Sequence, residues 1–272
     1  MSIPLILIRT DALAYLQDLQ EGNLFMRTSL YYQNMEADDL ARKDHLDGSI
    51  PDSGKYFKVS LPPEIGPIRN SRFTEMNCYI KCFHQYNLSD MHRIDGHTLA
   101  LEFSEETRNS LRAFGNDYAM ILLGDKFIQQ FQRACECKGL SCGYGSICYM
   151  TEEQYATHEA AVLQYVNDRS RGKPHPAPQP RPTLCKPDVF SAQQEYRVFL
   201  FYETEEAQEL MGKGVFVLPD KENSDKAFGQ PYVLNVGSLK EISLIVPISS
   251  ILDNPLYIRV FEDGTIEIVP VT

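Results

Sequence analysis

A segment around residue 195 combines the alternation of a β-strand with an unusual amount of polar chemistry. Residues 193–202 read QQEYRVFLFY, and apolar side chains recur there at the two-residue period of a strand: Tyr196, Val198 and Leu200. We predict a strand in which these three side chains face the core. Gln193 and Glu195 have the same spacing, so an extended backbone directs both to the opposite face. These two polar side chains would suit either the binding of a small ligand or an ordinary solvent-exposed face of the strand.

A second signal lies near the C-terminus, where Asp263-Gly264 separates two alternating segments, residues 258–261 and 265–269. An Asp-Gly pair in this position predicts a two-residue hairpin, and strands joined so tightly must be antiparallel. Along the rest of the chain, strand-like and helix-like segments alternate without an internal repeat. We therefore predict one α+β domain over residues 1–272, with a mostly antiparallel or mixed sheet and flanking helices.

The segment before the Glu195 strand is rich in proline. Within residues 168–182, proline occupies every second position from Pro174 to Pro182. Proline lacks a backbone N–H and cannot donate to a continuous ladder, so we predict an extended, Pro-rich surface loop over residues 168–182. A lid or a docking site for a partner is the functional interpretation, and a plain surface insertion is the structural one.

Upstream of this loop, residues 151–154 have the form of a capping box, which predicts a helix from there to about residue 166.

Net charge limits the classes of partner. The formal charge of −11 opposes non-specific binding to nucleic-acid phosphates and to anionic membranes. No apolar stretch reaches the length of a bilayer span, and the apolar start at residues 1–9 is too short for a secretory leader. We therefore expect a cytoplasmic protein without a membrane partner and without general nucleic-acid affinity.

Cysteine usage gives no metal site. Seven cysteines, an odd number, fit reduced thiols better than a disulfide framework. Four of them lie between residues 135 and 148 but lack the paired C-x-x-C spacing of a structural zinc site. We expect these thiols to bind no zinc and to form no disulfide.

The segment 36–48 concentrates oxygen ligands that a hard cation prefers: Glu36, Asp39, Asp44 and Asp47. Their spacing is not that of a calcium loop, and Arg42 and Lys43 oppose a cation. A network of salt bridges that fixes this loop explains the charges better. We predict no metal ligand in the chain, and the isolated histidines show no ligand spacing either.

Several short motifs resemble those of a group of uncharacterised bacterial proteins. They are residues 22–32, residues 42–48, the strand end Cys82-Phe83-His84, and residues 186–190 before Glu195-Tyr196-Arg197. This resemblance covers most of the chain through short elements, and it brings no activity with it.

A more distant resemblance carries chemistry. Arg9 ends a first strand, Thr28-Ser29 lies on a second and Gln193-x-Glu195 on a later one, in the order of the Arg, Ser-Thr-Ser and Gln-x-Glu elements of ADP-ribosyltransferases. The resemblance implies an ADP-ribosyltransferase-like fold and NAD as substrate. It implies that Arg9 and Thr28 bind NAD and that Ser29, Gln193 and Glu195 are catalytic. Glu195 would stabilise the positive charge that develops on ribose as nicotinamide leaves.

The same resemblance implies a bacterial toxin or phage-defence component that modifies a protein or nucleic-acid acceptor. Two features depart from the family pattern. The second strand follows Arg9 after a single helix, and Arg27 occupies the position of the motif's first serine. The alternative is a non-catalytic binding or interaction protein, in which Glu195 pairs with Arg197 or Arg9. Convergence of Arg9, Ser29 and Glu195 on one open cleft would favour the enzyme.

Overall fold

The computed structural model describes residues 3–28, 49–51, 72–74, 78–170, 172–173, 176, 179–201 and 231–269. The strands are β1 (Ile6–Asp11), β2 (Asn23–Thr28), β3 (Ser49–Pro51), β4 (Arg72–Thr74), β5 (Cys78–Tyr86), β6 (His92–Arg93), β7 (Thr98–Leu101), β8 (Tyr118–Leu123), β9 (Cys142–Ser146), β10 (Cys148–Met150), β11 (Cys185–Pro187), β12 (Glu195–Phe201), β13 (Tyr232–Asn235), β14 (Ser243–Pro247), β15 (Leu256–Val260) and β16 (Ile266–Val269).

The α-helices are α1 (Leu13–Gln20), α2 (Glu105–Ala113), α3 (Gly124–Lys138), α4 (Glu152–Ser170) and α5 (Ile248–Asp253). Short 3₁₀ turns span Leu88–Asp90, Pro182–Leu184, Asp188–Gln193 and Lys240–Ile242. The predicted capping box is present at the start of α4. There Thr151 N–H donates to Gln154 Oε1 over 2.8 Å, and Gln154 N–H donates to Thr151 Oγ1 over 3.3 Å.

One large sheet organises the chain. Six of its eight strands follow the order β13-β2-β5-β1-β8-β14, and the other two, β12 and β9, extend the sheet from the opposite edge of β5. A second sheet has the order β16-β15-β7-β6, and two further pairs are β3-β4 and β10-β11. Only the β10-β11 pair is parallel among the pairs of the described residues. The predicted α+β class with mostly antiparallel or mixed sheet is confirmed.

The large sheet is covered on both faces. On one face, which we call the helix side, α1 and α3 pack through a list of apolar residues: Leu16, Leu19, Phe127, Ile128 and Phe131. On the other, the sheet side, the second sheet packs through Leu99, Leu101, Leu256 and Ile258. Tyr196, Val198 and Leu200 of β12 belong to the helix-side core, as predicted. Of the two alternatives for the polar face of this strand, the solvated one was wrong, because all of residues 195–200 are buried.

The C-terminal hairpin joins β15 to β16 antiparallel, as predicted, but its loop is longer than two residues. Phe261 N–H donates to Thr265 O over 2.8 Å, and Gly264 N–H donates to Phe261 O over 2.9 Å. Gly264 has a φ of 81°. This is a three-residue loop, residues 262–264, that ends in a left-handed glycine, so the predicted two-residue turn was wrong.

The Pro-rich segment is only partly described. Helix α4 continues to Ser170, which places the first residues of the predicted loop 168–182 in a helix. Gly172, Lys173 and Pro176 are exposed beyond it, and Pro182 begins a 3₁₀ turn. The acidic segment 36–48 and Ser29 lie outside the described residues.

Candidate functional site

The start of β12 carries a compact group of charged and polar side chains, which we call the Glu195 cluster: Glu195, Lys186, Arg197, Gln193 and His84. Glu195 is the first residue of its strand because Gln194 before it adopts a left-handed conformation, with φ of 43°. Gln193 therefore ends a 3₁₀ turn and does not lie on the strand, contrary to the prediction. The two side chains nevertheless meet at one partner. Lys186 Nζ donates to Gln193 Oε1 over 3.0 Å and to Glu195 Oε2 over 2.8 Å.

The second carboxylate oxygen of Glu195 is also bound, since it accepts a hydrogen bond from Arg197 Nε. Arg197 Nη1 donates to the carbonyl of Thr183 over 2.9 Å. Side-chain exposure is 6% for Glu195 and 0% for Arg197, so this ion pair is shielded from water. Burial raises the pKa of Glu195, but the charges of Arg197 and Lys186 outweigh it and hold that pKa well below its usual range.

His84 fixes the turn before β12. Its Nδ1 lies 2.6 Å from the carbonyl oxygen of Gln193, and its ring packs edge-on against Phe114. Burial lowers the pKa of His84 to about 4, so the ring is neutral at pH 7 and Nδ1 donates its proton to that carbonyl. Both carboxylate oxygens of Glu195 are thus bound by cations of the chain itself, as expected for a structural network.

A second charged group, the Lys81 cluster, consists of Lys81, Arg9 and Asp11. Arg9 Nη2 donates to Asp11 Oδ2 over 2.9 Å, and Arg9 Nη1 donates to the carbonyl of Cys82 over 3.2 Å. The side chains of Arg9 and Asp11 are 24% and 23% exposed, whereas Lys81 is 8% exposed. Burial raises the pKa of Asp11, but the neighbouring Arg9 outweighs it and lowers that pKa overall.

The Lys81 cluster lies where the large sheet divides. Strand β12 pairs with one edge of β5 from Cys78 to His84. The opposite edge pairs with β2 at Tyr79 and Ile80 and with β1 from His84 to Tyr86. Residues 81–83 lie between these two ladders, and Arg9 bridges part of the gap by its bond to Cys82. A division between strands of a sheet is a recurrent place for ligands in α/β folds.

Lys81 differs from the other buried charges of the described chain. Among the described residues, none forms a hydrogen bond or ion pair with its ammonium. Burial, and then the charge of Arg9, lower the pKa of Lys81 to about 7, against a smaller opposing effect of Asp11. A lysine held near neutrality by burial and a neighbouring guanidinium marks a candidate binding or reactive site.

The side chains proposed for NAD chemistry fall on two faces of the sheet. Leu7 belongs to the helix-side core, and Arg9, two residues along β1, shares its face. Thr28 pairs with Tyr79 and Lys81 pairs with Val198, so both are also on the helix side. Glu195 is aligned with His84 and Ile8, and Ile8 belongs to the sheet-side core. Arg9 and Glu195 therefore do not converge on one cleft.

Two lysines that matter here were missed by sequence reasoning. Lys81 is the only cation in the apolar segment CYIKCF, and that isolation was a usable signal. Lys186 had no such signal, because its role depends on the turn that brings it back to Glu195.

No group of three or more His, Cys, Asp or Glu side chains is placed to hold a metal ion within the part of the chain that is described. Comparison with protein families, with curated proteins and with solved structures finds no match.

Proposed function

We propose that this chain is a binding protein for an anionic ligand, and that the ligand's negative group lies between Arg9 and Lys81. The observation that carries the proposal is Lys81, a residue that is 8% exposed, whose ammonium has no hydrogen-bond or ion-pair partner among the described residues and is close to a second cation. Burying an ammonium without a hydrogen-bond partner is costly. A phosphate or carboxylate bound beside it would offset that cost and the repulsion from Arg9.

The chemistry of the two cations defines the ligand class. A guanidinium binds carboxylate or phosphate through a planar fork, and an ammonium adds a compact point charge. Asp11 already occupies Arg9 Nη2, so an incoming anion would meet Lys81 first. Dinucleotides present a pyrophosphate with two charges, which matches this pair of cations. NAD and inorganic pyrophosphate are therefore the first ligands to test.

ADP-ribosyl transfer stays a separate proposal, supported by the order of Arg9, Thr28-Ser29 and Gln193-x-Glu195 along the chain. It requires an arginine and a glutamate in one site. Here the two lie on opposite faces, and both oxygens of Glu195 are bound by Lys186 and Arg197. We therefore assign a structural role to Glu195 and propose that the ligand binds at the Lys81 cluster.

The experiment is isothermal titration of the folded protein with NAD and with inorganic pyrophosphate, at low salt and at pH 6.5. Lys81→Met and Arg9→Ala should each weaken binding about tenfold or more, which corresponds to about 1.4 kcal/mol. Arg93→Ala is the matched control, because Arg93 is exposed on β6 and, within the described part of the chain, its side chain donates only to the carbonyl of Gly96. The affinity of Arg93→Ala for each of the two probes should equal that of the wild type.

Two results would contradict the proposal. One is a wild-type protein that binds neither probe, and the other is binding that Lys81→Met leaves unchanged. Free nicotinamide is measured in the same samples, with a protein or nucleic-acid mixture as acceptor. Release of nicotinamide by the wild type, slowed about a hundredfold or more in folded Glu195→Gln, would favour the transferase instead.

A further inference from the structure

Strand β9 is an edge of the large sheet that differs from the other edges in its protection against a further strand. Within the described part of the chain, the outermost strands of this sheet are β9, β13 and β14. Pro231 directly precedes β13, and Pro247 ends β14. A proline on an edge strand lacks the N–H that a further strand would use. Strand β9 reads CGYGS, with neither proline nor charge, so its edge is open to pairing.

The register of β9 shows which of its backbone groups point outward. At its two ends, Ile147 N–H donates to the carbonyl of Glu195 over 2.9 Å, and Phe201 N–H donates to the carbonyl of Ser141 over 3.0 Å. Both bonds involve odd-numbered residues of the β9 segment. Successive residues of an antiparallel strand bond to opposite sides, so the even-numbered residues direct their N–H and C=O groups away from β12. They are Cys142, Tyr144 and Ser146.

These outward backbone groups are unpaired in the described structure. No described residue bonds to the N–H or C=O of Cys142, Tyr144 or Ser146 on that side. Their side chains, in contrast, are held within the chain. Tyr144 Oη accepts from Gln132 Nε2 over 3.2 Å, and Ser146 Oγ donates to Gln85 Oε1 over 2.7 Å. A row of three unpaired residues on a regular strand is a template for one more strand.

The side chains of β9 suit a second copy of the same strand. Gly143 and Gly145 alternate with Tyr144 and therefore lie on the other face. The ring of Phe199 fills the place of a side chain at Gly143, since a Cβ there would lie 2.3 Å from a ring carbon. An antiparallel copy related by a two-fold axis at Tyr144 places Gly143 opposite Gly145 and tyrosine opposite tyrosine. Glycine opposite glycine avoids a side-chain collision on the face that Phe199 already fills.

We propose that this protein forms a symmetric dimer in which β9 pairs antiparallel with β9 of a second copy, about a two-fold axis at Tyr144. The two Tyr144 residues exchange a pair of hydrogen bonds, and each Cys142 exchanges a pair with Ser146 of the other copy. This ladder uses every outward group of the three residues. It joins two eight-stranded sheets into one continuous sheet.

Proline substitution at the outward positions tests the ladder. Cys142→Pro and Tyr144→Pro each remove an outward N–H that makes no bond within the described chain. An edge strand tolerates proline where the N–H faces solvent, so both variants should fold. Cys142→Ala is the matched control, because it loses the same thiol as Cys142→Pro but keeps the N–H.

The first experiment is sedimentation equilibrium under reducing conditions, from low micromolar to near-millimolar protein. The wild type and Cys142→Ala should pass from the monomer mass to twice that mass with equal dissociation constants. Cys142→Pro and Tyr144→Pro should dimerise about tenfold more weakly or less, because each substitution removes hydrogen bonds on both sides of the two-fold axis. Circular dichroism and thermal unfolding check the fold of each variant.

The second experiment needs no variant and so remains valid if a proline variant folds poorly. Amide hydrogen exchange of the wild type is followed by NMR at the two ends of the concentration range. The amides of Cys142, Tyr144 and Ser146 should exchange about tenfold more slowly or less at the high concentration. The amides of Gly143 and Gly145 face β12 in monomer and dimer alike, so their relative protection supplies the internal control.

Three results would overturn the proposal. The first is a wild type that stays monomeric over the whole range. The second is a dimer that folded Cys142→Pro and Tyr144→Pro form as tightly as the wild type, which would place the interface elsewhere. The third is exchange at the three outward amides that does not change with protein concentration. These measurements use no ligand, so their outcome is independent of the proposed function.

Discussion

The two charged clusters differ, residue by residue, in which of their charged groups form hydrogen bonds. In the Glu195 cluster, each carboxylate oxygen accepts from a cation of the same chain. In the Lys81 cluster, the carboxylate of Asp11 binds Arg9, and the lysine is left beside a guanidinium. Buried charges that bond to one another hold a structure together, whereas a buried cation without a hydrogen-bond partner among the described residues is a place for something to bind. This difference decides which cluster we assign to the ligand.

The structural role of Glu195 predicts a large loss of stability in Glu195→Gln. The substitution leaves Lys186 and Arg197 buried without their carboxylate, which costs about 3–5 kcal/mol of unfolding free energy. Urea denaturation at pH 7 measures it. Glu267→Gln is the control, because Glu267 pairs with Arg259 at the surface and should change stability by about 1 kcal/mol or less. Equal stability of the two variants would show that the Glu195 network is not structural.

The lowered pKa of Glu195 also predicts a pH dependence. The folded pKa lies below the ordinary value of 4.5, so the carboxylate stabilises the folded state at every pH above that value. This contribution is lost as pH falls below 4.5 toward the folded pKa. Urea midpoints of the wild type should drop through that window by more than those of Glu195→Gln. A parallel decline of the two proteins would contradict the prediction.

Lys81 destabilises the folded state at pH 7, whereas Glu195 stabilises it. The folded pKa of about 7 lies below the ordinary 10.5, so the unfolded chain holds one more proton between these values. Stability from this group therefore rises as pH increases from 7 to 10.5. Without ligand, Lys81→Met should be more stable than the wild type at pH 7, and the gain should shrink at pH 10. Lys240→Met, at an exposed pair with Glu21, is the control. A wild type more stable than Lys81→Met at pH 7 would refute this.

Among the elements, the predictable features were those that local chemistry determines. The capping box at Thr151, the antiparallel C-terminal pair and the apolar face of β12 all follow from spacing within a few residues. The left-handed Gln194 was not predictable, because glutamine has no special preference for that region, and it moved Gln193 off the strand. The faces of Arg9 and Glu195 were not predictable either, since they depend on pairing between strands far apart in sequence.

The C-terminal hairpin supplies a test at the element scale. Gly264 has a positive φ, where a side chain is strained even in open space, so Gly264→Ala should lower unfolding free energy by about 1 kcal/mol. Thermal unfolding measures the change. Gly96→Ala is matched to it, because a Cβ at Gly96 meets nothing within 4 Å and its φ lies outside the positive range. Equal melting temperatures of the two variants would show that the left-handed conformation of Gly264 does not stabilise the loop.

Across the whole molecule, a negative net charge surrounds a locally cationic site. The chain carries −11 in total, yet among the residues that the structure describes Arg9 and Lys81 together exceed the charge of Asp11 beside them. The general field opposes polyanions such as nucleic acid, while a small anion can be bound at short range where the protein excludes water. No helix of the described residues is long and apolar enough to cross a membrane. The division of the sheet around β5 gives this site its place in the fold.

The most direct test of the central claim is the titration of Lys81 itself. Carbon-13 NMR of lysine-labelled protein follows its ε-carbon through pH, and the signal is assigned by its absence in Lys81→Met. Without an added anion, the midpoint should lie near 7. Saturating pyrophosphate should raise that midpoint by about one unit or more, because an anion beside the ammonium favours its charged form by about 1.4 kcal/mol per unit. A midpoint at the ordinary 10.5, or one that bound pyrophosphate does not move, would contradict the account.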